Sequence, residues 1–172
     1  MLKRICNFLT TILILILLVL AIILIAPRLL GYQSLAVLSG SMEPQIPVGS
    51  LVFAKETEPS ALEVGDVITY RLSGSTLVTH RVIENDTVSG QLITQGDAND
   101  VADSNPVEYQ NVVGKVTMHL PWLGYLSIYI KTPLGIAGAC GFLVILIILV
   151  YLPEIFAPEE KKEKNLDEEN KK

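Results

Sequence analysis

From Phe8 to Ala26 the chain is almost wholly Leu, Ile, Val and Ala, broken only by Thr10 and Thr11. A run that apolar on every side has no face to turn to water, so it dictates the surroundings of whatever follows it. At about 1.5 Å per residue a helix of this length reaches across a hydrocarbon core of about 30 Å. Lys3 and Arg4 precede it, as a basic start precedes a cleaved leader. The run is longer than a leader's apolar segment, however, and it ends Leu24-Ile25-Ala26-Pro27 with no small-x-small cleavage site. The reading is an uncleaved transmembrane anchor over residues 8–30, with Pro27 ending the helix and Arg28 reaching to the interface.

A second apolar run, Pro133 to Leu152, predicts a second transmembrane helix over residues 132–153, closed by Pro153. Its Gly138 and Gly141 are read as glycines tolerated in a spanning helix rather than as a packing motif. Residues 154–172 read as a charged, disordered Glu/Lys tail. Lys3 and Arg4 before the first run, and Lys161, Lys162, Lys164, Lys171 and Lys172 after the second, outnumber Arg28 and Lys131 between them. That bias puts both termini, including residues 1–7, in the cytoplasm and the intervening segment outside it.

The segment between the runs is about a hundred residues, enough for one small domain with a core. The net charge of -5 argues against a nucleic-acid partner. Cys6 and Cys140, the two cysteines, sit in or beside the apolar runs, which excludes a soluble disulfide framework and predicts burial among apolar side chains. Residues 31–131 read as mostly β. The expected strands are Ser34 to Leu38, Leu51 to Ala54, Val67 to Leu72, Leu77 to Ile83, Val88 to Gln95 and Val112 to Met118. Ser73-Gly74-Ser75 predicts a hairpin between the third and fourth, Glu84-Asn85-Asp86 a turn, and Gly114 a bulge. The fold class expected is mainly β, a small barrel or packed-sheet domain flanked by two transmembrane helices. Trp122, Tyr125 and Tyr129 suit an interfacial belt beside the second span.

The chemistry-bearing residues are few. Ser39-Gly40-Ser41-Met42-Glu43-Pro44, followed by Pro47 and Gly49, cannot be a regular helix, and such a loop can expose a hydroxyl and converge backbone N–H groups. A serine hydroxyl needs a base, and His80, within Thr79-His80-Arg81, is one of two histidines. If Val78 and Val82 share its strand face, its imidazole stands in an apolar setting. His119, beside the second span, reads as structural or interfacial. Asp97, Asp100 and Asp103 crowd a polar loop from Gly96 to Pro106 and are alternatives for the group that orients the imidazole. The loop lacks the ligand spacing of a calcium loop, so neither a metal nor a cofactor is expected.

The order S-G-S-M-E-P, T-H-R and G-D-A-N-D-x-x-D, beside an apolar anchor, resembles the type I signal peptidases, in the Ser-His branch of the endoplasmic-reticulum enzyme and its SipW-like relatives. The resemblance covers Leu35 to about Trp122 and includes Gly65-Asp66-Val67-Ile68. It implies a signal-peptidase-like β catalytic domain with Ser41 as nucleophile, His80 as general base and Asp103 as triad aspartate. Ser39 would complete the oxyanion hole with the backbone N–H of Ser41, and Asp97 would be a supporting acid. Implied substrates are signal-peptide-bearing preproteins, cut after small residues at the −3 and −1 positions and bound extended near Leu35 to Leu38. Implied partners are the lipid bilayer and the translocon or accessory membrane subunits; the implied site is the cell membrane or the endoplasmic reticulum. Two other readings stay open: a catalytically silent, tethered β domain that binds or escorts exported proteins, and a self-cleaving repressor-like peptidase. The second is disfavoured by His80 at the base position and by two spans.

Overall fold

The computed structural model describes residues 2–155. The tail expected over 154–172 lies outside them from residue 156 onward, as do Met1 and the side chain of Cys6. The chain divides into Met1–Leu20 with Ile136–Lys172, whose described part is helical, and Ala21–Gly135, which holds the sheet.

Helix α1 runs Leu2–Leu29. Among the described residues it is the one helix that is, by itself, long and apolar enough to cross a membrane: 23 residues, Asn7–Leu29, with a mean hydropathy of 3.4. Pro27 does not end it, contrary to expectation. A proline this close to the end removes one backbone donor from the final turn, and the chain then closes with Leu30 N–H donating to the Ala26 and Pro27 carbonyls.

The sheet is entirely antiparallel. Its strands are β1 (Tyr32–Ala36), β2 (Leu51–Lys55), β3 (Val67–Ser73), β4 (Thr76–Asp86), β5 (Gln91–Gln95), β6 (Val107–Glu108) and β7 (Val112–Leu120). Their spatial order is β1-β2-β7-β3-β4-β5-β6. The predicted hairpin is present, with Gly74 at φ +53° in the two-residue turn between β3 and β4. Two boundaries differ from expectation. Glu84-Asn85-Asp86 continues β4, and the turn falls at residues 87–90, where the Asp86 carboxylate accepts from Val88 and Ser89 N–H. Val88 is therefore turn, not strand. The bulge near Gly114 is real: Thr69 faces Gly114 and Tyr70 faces Val112, which leaves Val113 as the extra residue.

Two apolar clusters fill the domain. Leu62, Ile68, Tyr70, Val82, Leu92 and Val107 form one; Met42, Ile46 and Val52 form the other. The segment read as an aromatic belt contains helix α2 (Leu123–Tyr129), which donates Gly124 N–H to the Gly49 carbonyl at 2.9 Å. Trp122 and Tyr125 are exposed, as a belt requires. Helix α3 spans Pro133–Ile155 and so passes through Pro153, which was expected to close it. It carries no charge before Glu154. Cys140, expected among apolar side chains, is exposed on α3, as are its neighbours Phe142, Leu143 and Val144.

Candidate active site

The serine loop leaves β1 and returns to β2. Its base is closed by two backbone hydrogen bonds of 2.9 Å, Val37 N–H to the Ser50 carbonyl and Gly49 N–H to the Val37 carbonyl. Within it Glu43 N–H donates to Gly40 and Ile46 N–H to Met42, and the Glu43–Pro44 bond is cis. Met42 and Ile46 are 1% and 2% exposed. These two plugs hold a loop of little regular structure, so the residue before Met42, Ser41, has a backbone fixed by burial. The Ser41 Oγ lies 3.4 Å from the Ser39 Oγ.

His80 is delivered by β4, where alternation puts Val78, His80 and Val82 on the inward side. His80 is 8% exposed, and its ring meets Tyr70 edge-on at 6.3 Å between centroids. Its Nδ1 lies 2.6 Å from Asp103 Oδ2. The same oxygen accepts from Thr94 Oγ1 at 2.6 Å and from Tyr70 OH at 3.1 Å. The loop carrying Asp103 is pinned to β5 by Asp103 N–H donating to the Thr94 carbonyl at 2.8 Å. Burial pushes the Asp103 carboxyl up, but the hydrogen bonds from Thr94 and His80, the His80 charge and the Tyr70 hydroxyl outweigh it and hold the group below the ordinary aspartate value. Asp103 is thus a carboxylate and an acceptor. Nδ1 must then carry the imidazole proton of neutral His80, which leaves Nε2 with a free lone pair. Burial, aided by the Asp103 charge and opposed by the Thr94 hydroxyl, pushes the Tyr70 phenol up to about 12, so Tyr70 stays a donor.

Ser41 and His80 line one groove of about 660 Å³. Gly96 shows how closely their supports meet. A Cβ there would fall 2.6 Å from the Ser41 carbonyl oxygen and 3.1 Å from His80 Nε2. Ala98 N–H, two residues on, donates to that Ser41 carbonyl at 2.9 Å. The loop of aspartates therefore touches both the serine backbone and the imidazole, through a position where only a hydrogen fits.

The three aspartates separate cleanly. Asp103 meets His80. Asp97 takes a two-pronged ion pair from Arg81, Nε to Oδ1 at 2.8 Å and Nη2 to Oδ2 at 2.6 Å, while Arg81 Nη1 donates to the Gly65 carbonyl. Asp100 is exposed, and among the described residues no hydrogen bond or ion pair involves it. His119 sits on β7 opposite Val52 and is not among the residues that line the groove. Among the described residues no three His, Cys, Asp or Glu side chains gather as metal ligands. Sequence reading missed Tyr70 and Thr94 as partners of the carboxylate. Each is an ordinary strand residue, and nothing in its spacing points to a loop aspartate 33 or 9 positions away.

In this antiparallel domain a serine and a histidine line one groove and a carboxylate holds the far ring nitrogen, the kinds of group that acyl transfer employs. No family model matches the chain. Over 125 residues it is 39% identical to Signal peptidase I W of Bacillus subtilis (strain 168), covering 67% of this chain and 66% of that protein. It is 31% identical over 125 residues to the human Signal peptidase complex catalytic subunit SEC11C, covering 64% and 65%. It is 36% identical over 120 residues to the Signal peptidase complex catalytic subunit SEC11 of Lodderomyces elongisporus, covering 61% and 72%. The matched region is just under two thirds of the length of the first two relatives. The chain belongs to the type I signal peptidase family, in its endoplasmic-reticulum-type and SipW-like branch.

Proposed function

We propose that this chain is a membrane-anchored serine endopeptidase that removes signal peptides from secretory preproteins, cutting after small residues at −3 and −1. The observation that carries the reading is that Ser41 and His80 line one groove while Asp103 holds the far ring nitrogen at 2.6 Å. Ser41 Oγ attacks the scissile carbonyl carbon as its proton passes to His80 Nε2. The oxyanion is met by the Ser41 backbone N–H and the Ser39 hydroxyl. Collapse expels the new amine of the mature protein, which takes the proton back from Nε2. Water, deprotonated by the same nitrogen, then releases the signal peptide from Ser41. Asp103 keeps Nδ1 protonated throughout, and Asp97 supports the site by holding Arg81. The Ser41 hydroxyl lies near Ser39 rather than hydrogen bonded to Nε2, and catalytic hydrogen bonds of this type commonly tighten only with substrate in place.

The groove suits an extended peptide. Leu35 to Leu38 form one wall, with β1 paired to β2 alone, and Thr76 to Thr79 the other, with that part of β4 paired to β3 alone. Both walls offer unpaired backbone groups to a strand laid between them. Residues 31–131 are the catalytic domain in this reading. Residues 8–30 are its anchor, 132–153 a second span, and 1–7 and 154–172 are cytoplasmic; the enzyme resides in the cell membrane, or the endoplasmic reticulum of a eukaryote. The SEC11 relatives are named as subunits of a complex, and accessory membrane subunits and the translocon are the partners proposed here.

The test is purified full-length protein incubated with a preprotein in detergent, wild type beside Ser41→Ala. Cleavage by the wild type alone is expected. Full activity of the variant would end the assignment of Ser41, and binding of preprotein by a wild type that never cuts would favour the silent-escort reading.

A further inference from the structure

Beyond the catalytic groove lies a second cavity of about 620 Å³, lined among others by Leu24 and Arg28 of α1, Ser34 and Leu35 of β1, and Ser127 and Lys131 at α2. Its chemistry is two-sided. Leu24, Leu35, Leu51 and Ile130 are apolar, whereas Arg28 and Lys131 are cations and Ser34 and Ser127 are hydroxyls. No carboxylate lines it, and among the described residues neither cation enters an ion pair. Two cations lining one cavity with no acidic side chain beside them give it a positive potential that favours an anion.

The terminal turns do not supply that anion. Leu30 and Gly31 N–H close the end of α1 on the Ala26, Pro27 and Arg28 carbonyls, and Ile130, Lys131 and Thr132 N–H close the end of α2 on those of Leu126, Ile128 and Tyr129, so these carbonyls are already engaged. Arg28 stands one position short of the end of the apolar stretch Asn7–Leu29. At about 1.5 Å per residue that stretch is slightly longer than a hydrocarbon core of about 30 Å, which sets Arg28 at headgroup depth when α1 spans.

We propose that this cavity holds one anionic phospholipid, its phosphodiester between Arg28 and Lys131, the Ser34 and Ser127 hydroxyls donating to the headgroup and an acyl chain against Leu24. The cavity adjoins the catalytic groove, with which it shares only Leu35, and the proposal does not depend on the peptidase reading; it depends on α1 lying in a bilayer.

The experiment is native mass spectrometry of the full chain released from neutral detergent, titrated with phosphatidylglycerol or phosphatidylcholine of matched acyl chains. One phosphatidylglycerol is expected to bind about tenfold or more tightly than phosphatidylcholine, the scale for two basic groups at a charged surface. R28Q/K131Q should erase the preference, whereas the charge-preserving R28K/K131R should keep it and thereby exclude misfolding as the cause. Equal retention of the two lipids by wild type, or an equal loss of preference in R71Q, an exposed cation outside the cavity, would overturn the proposal. Displacement of the lipid by inorganic phosphate at millimolar concentration would assign the cavity to a free anion and likewise overturn it.

Discussion

Asp103 Oδ2 receives three hydrogen bonds, and its worth lies in that crowding. If it fixes the imidazole tautomer, Asp103→Asn should lower turnover roughly 10³- to 10⁴-fold. Asp100→Asn should change it little, and comparable small effects would refute the assignment. The same shift has a consequence for stability. A carboxyl held below its ordinary value in the folded state stabilises the fold above the unfolded value of about 4 and loses that contribution as pH falls through the folded value. Acid unfolding curves should therefore separate below about pH 4, with Asp103→Asn less pH-dependent than wild type. Tyr70 acts in the opposite direction. Raised to about 12, it stabilises the fold fully below pH 10 and loses this between 10 and 12, so Tyr70→Phe should flatten that alkaline limb in denaturant melts. Gly96→Ala must part the Gly96 backbone from the Ser41 carbonyl, 2.6 Å from the new Cβ, and it also crowds Asn99 Nδ2 at 2.9 Å and His80 Nε2 at 3.1 Å. About a hundredfold loss of cleavage with the fold retained by circular dichroism is expected, the scale of a 1 Å misplacement.

At the scale of elements, the serine loop is positioned by what it buries rather than by its own hydrogen bonds. Met42→Ala should cost about 2–5 kcal/mol and lower the melting temperature, while activity per folded molecule falls as Ser41 loses its anchor. Arg81 and Asp97 tie the strand carrying His80 to the aspartate loop. Both are partly exposed, so their coupling in a double-mutant cycle should be about 0.5–1 kcal/mol, not more. Strand identity was readable because alternating β-branched runs bounded by Ser-Gly-Ser and Asp-rich turns leave little choice. Boundaries were less so: Glu84-Asn85-Asp86 looks like a turn by composition, but Asn85 donates to the Pro59 and Leu62 carbonyls and the strand continues. The two-residue β6 has no signal, being a single pairing with Gln91 and Leu92.

For the molecule as a whole, the N-terminal apolar helix is legible directly, since an apolar run needs no partner to be recognised. The role proposed for α3 can be probed through Cys140, which is exposed to whatever surrounds the helix. In a Cys6→Ser background, a membrane-impermeant maleimide should leave Cys140 unlabelled in sealed vesicles and label it in denaturant. Equal labelling would mean that α3 is not embedded.

Residue type and turn chemistry in each box were enough to mark the serine, the histidine and a trio of candidate aspartates, and only the family resemblance singled out Asp103 among them. Choosing among Asp97, Asp100 and Asp103 was not local. That choice depended on which loop carboxylate the β5 pairing brings under the imidazole and which one a strand arginine captures first. Tyr70 and Thr94 became visible only in the same way, since hydrogen bonds between distant strands follow from register, and register is set by the packing of the whole sheet.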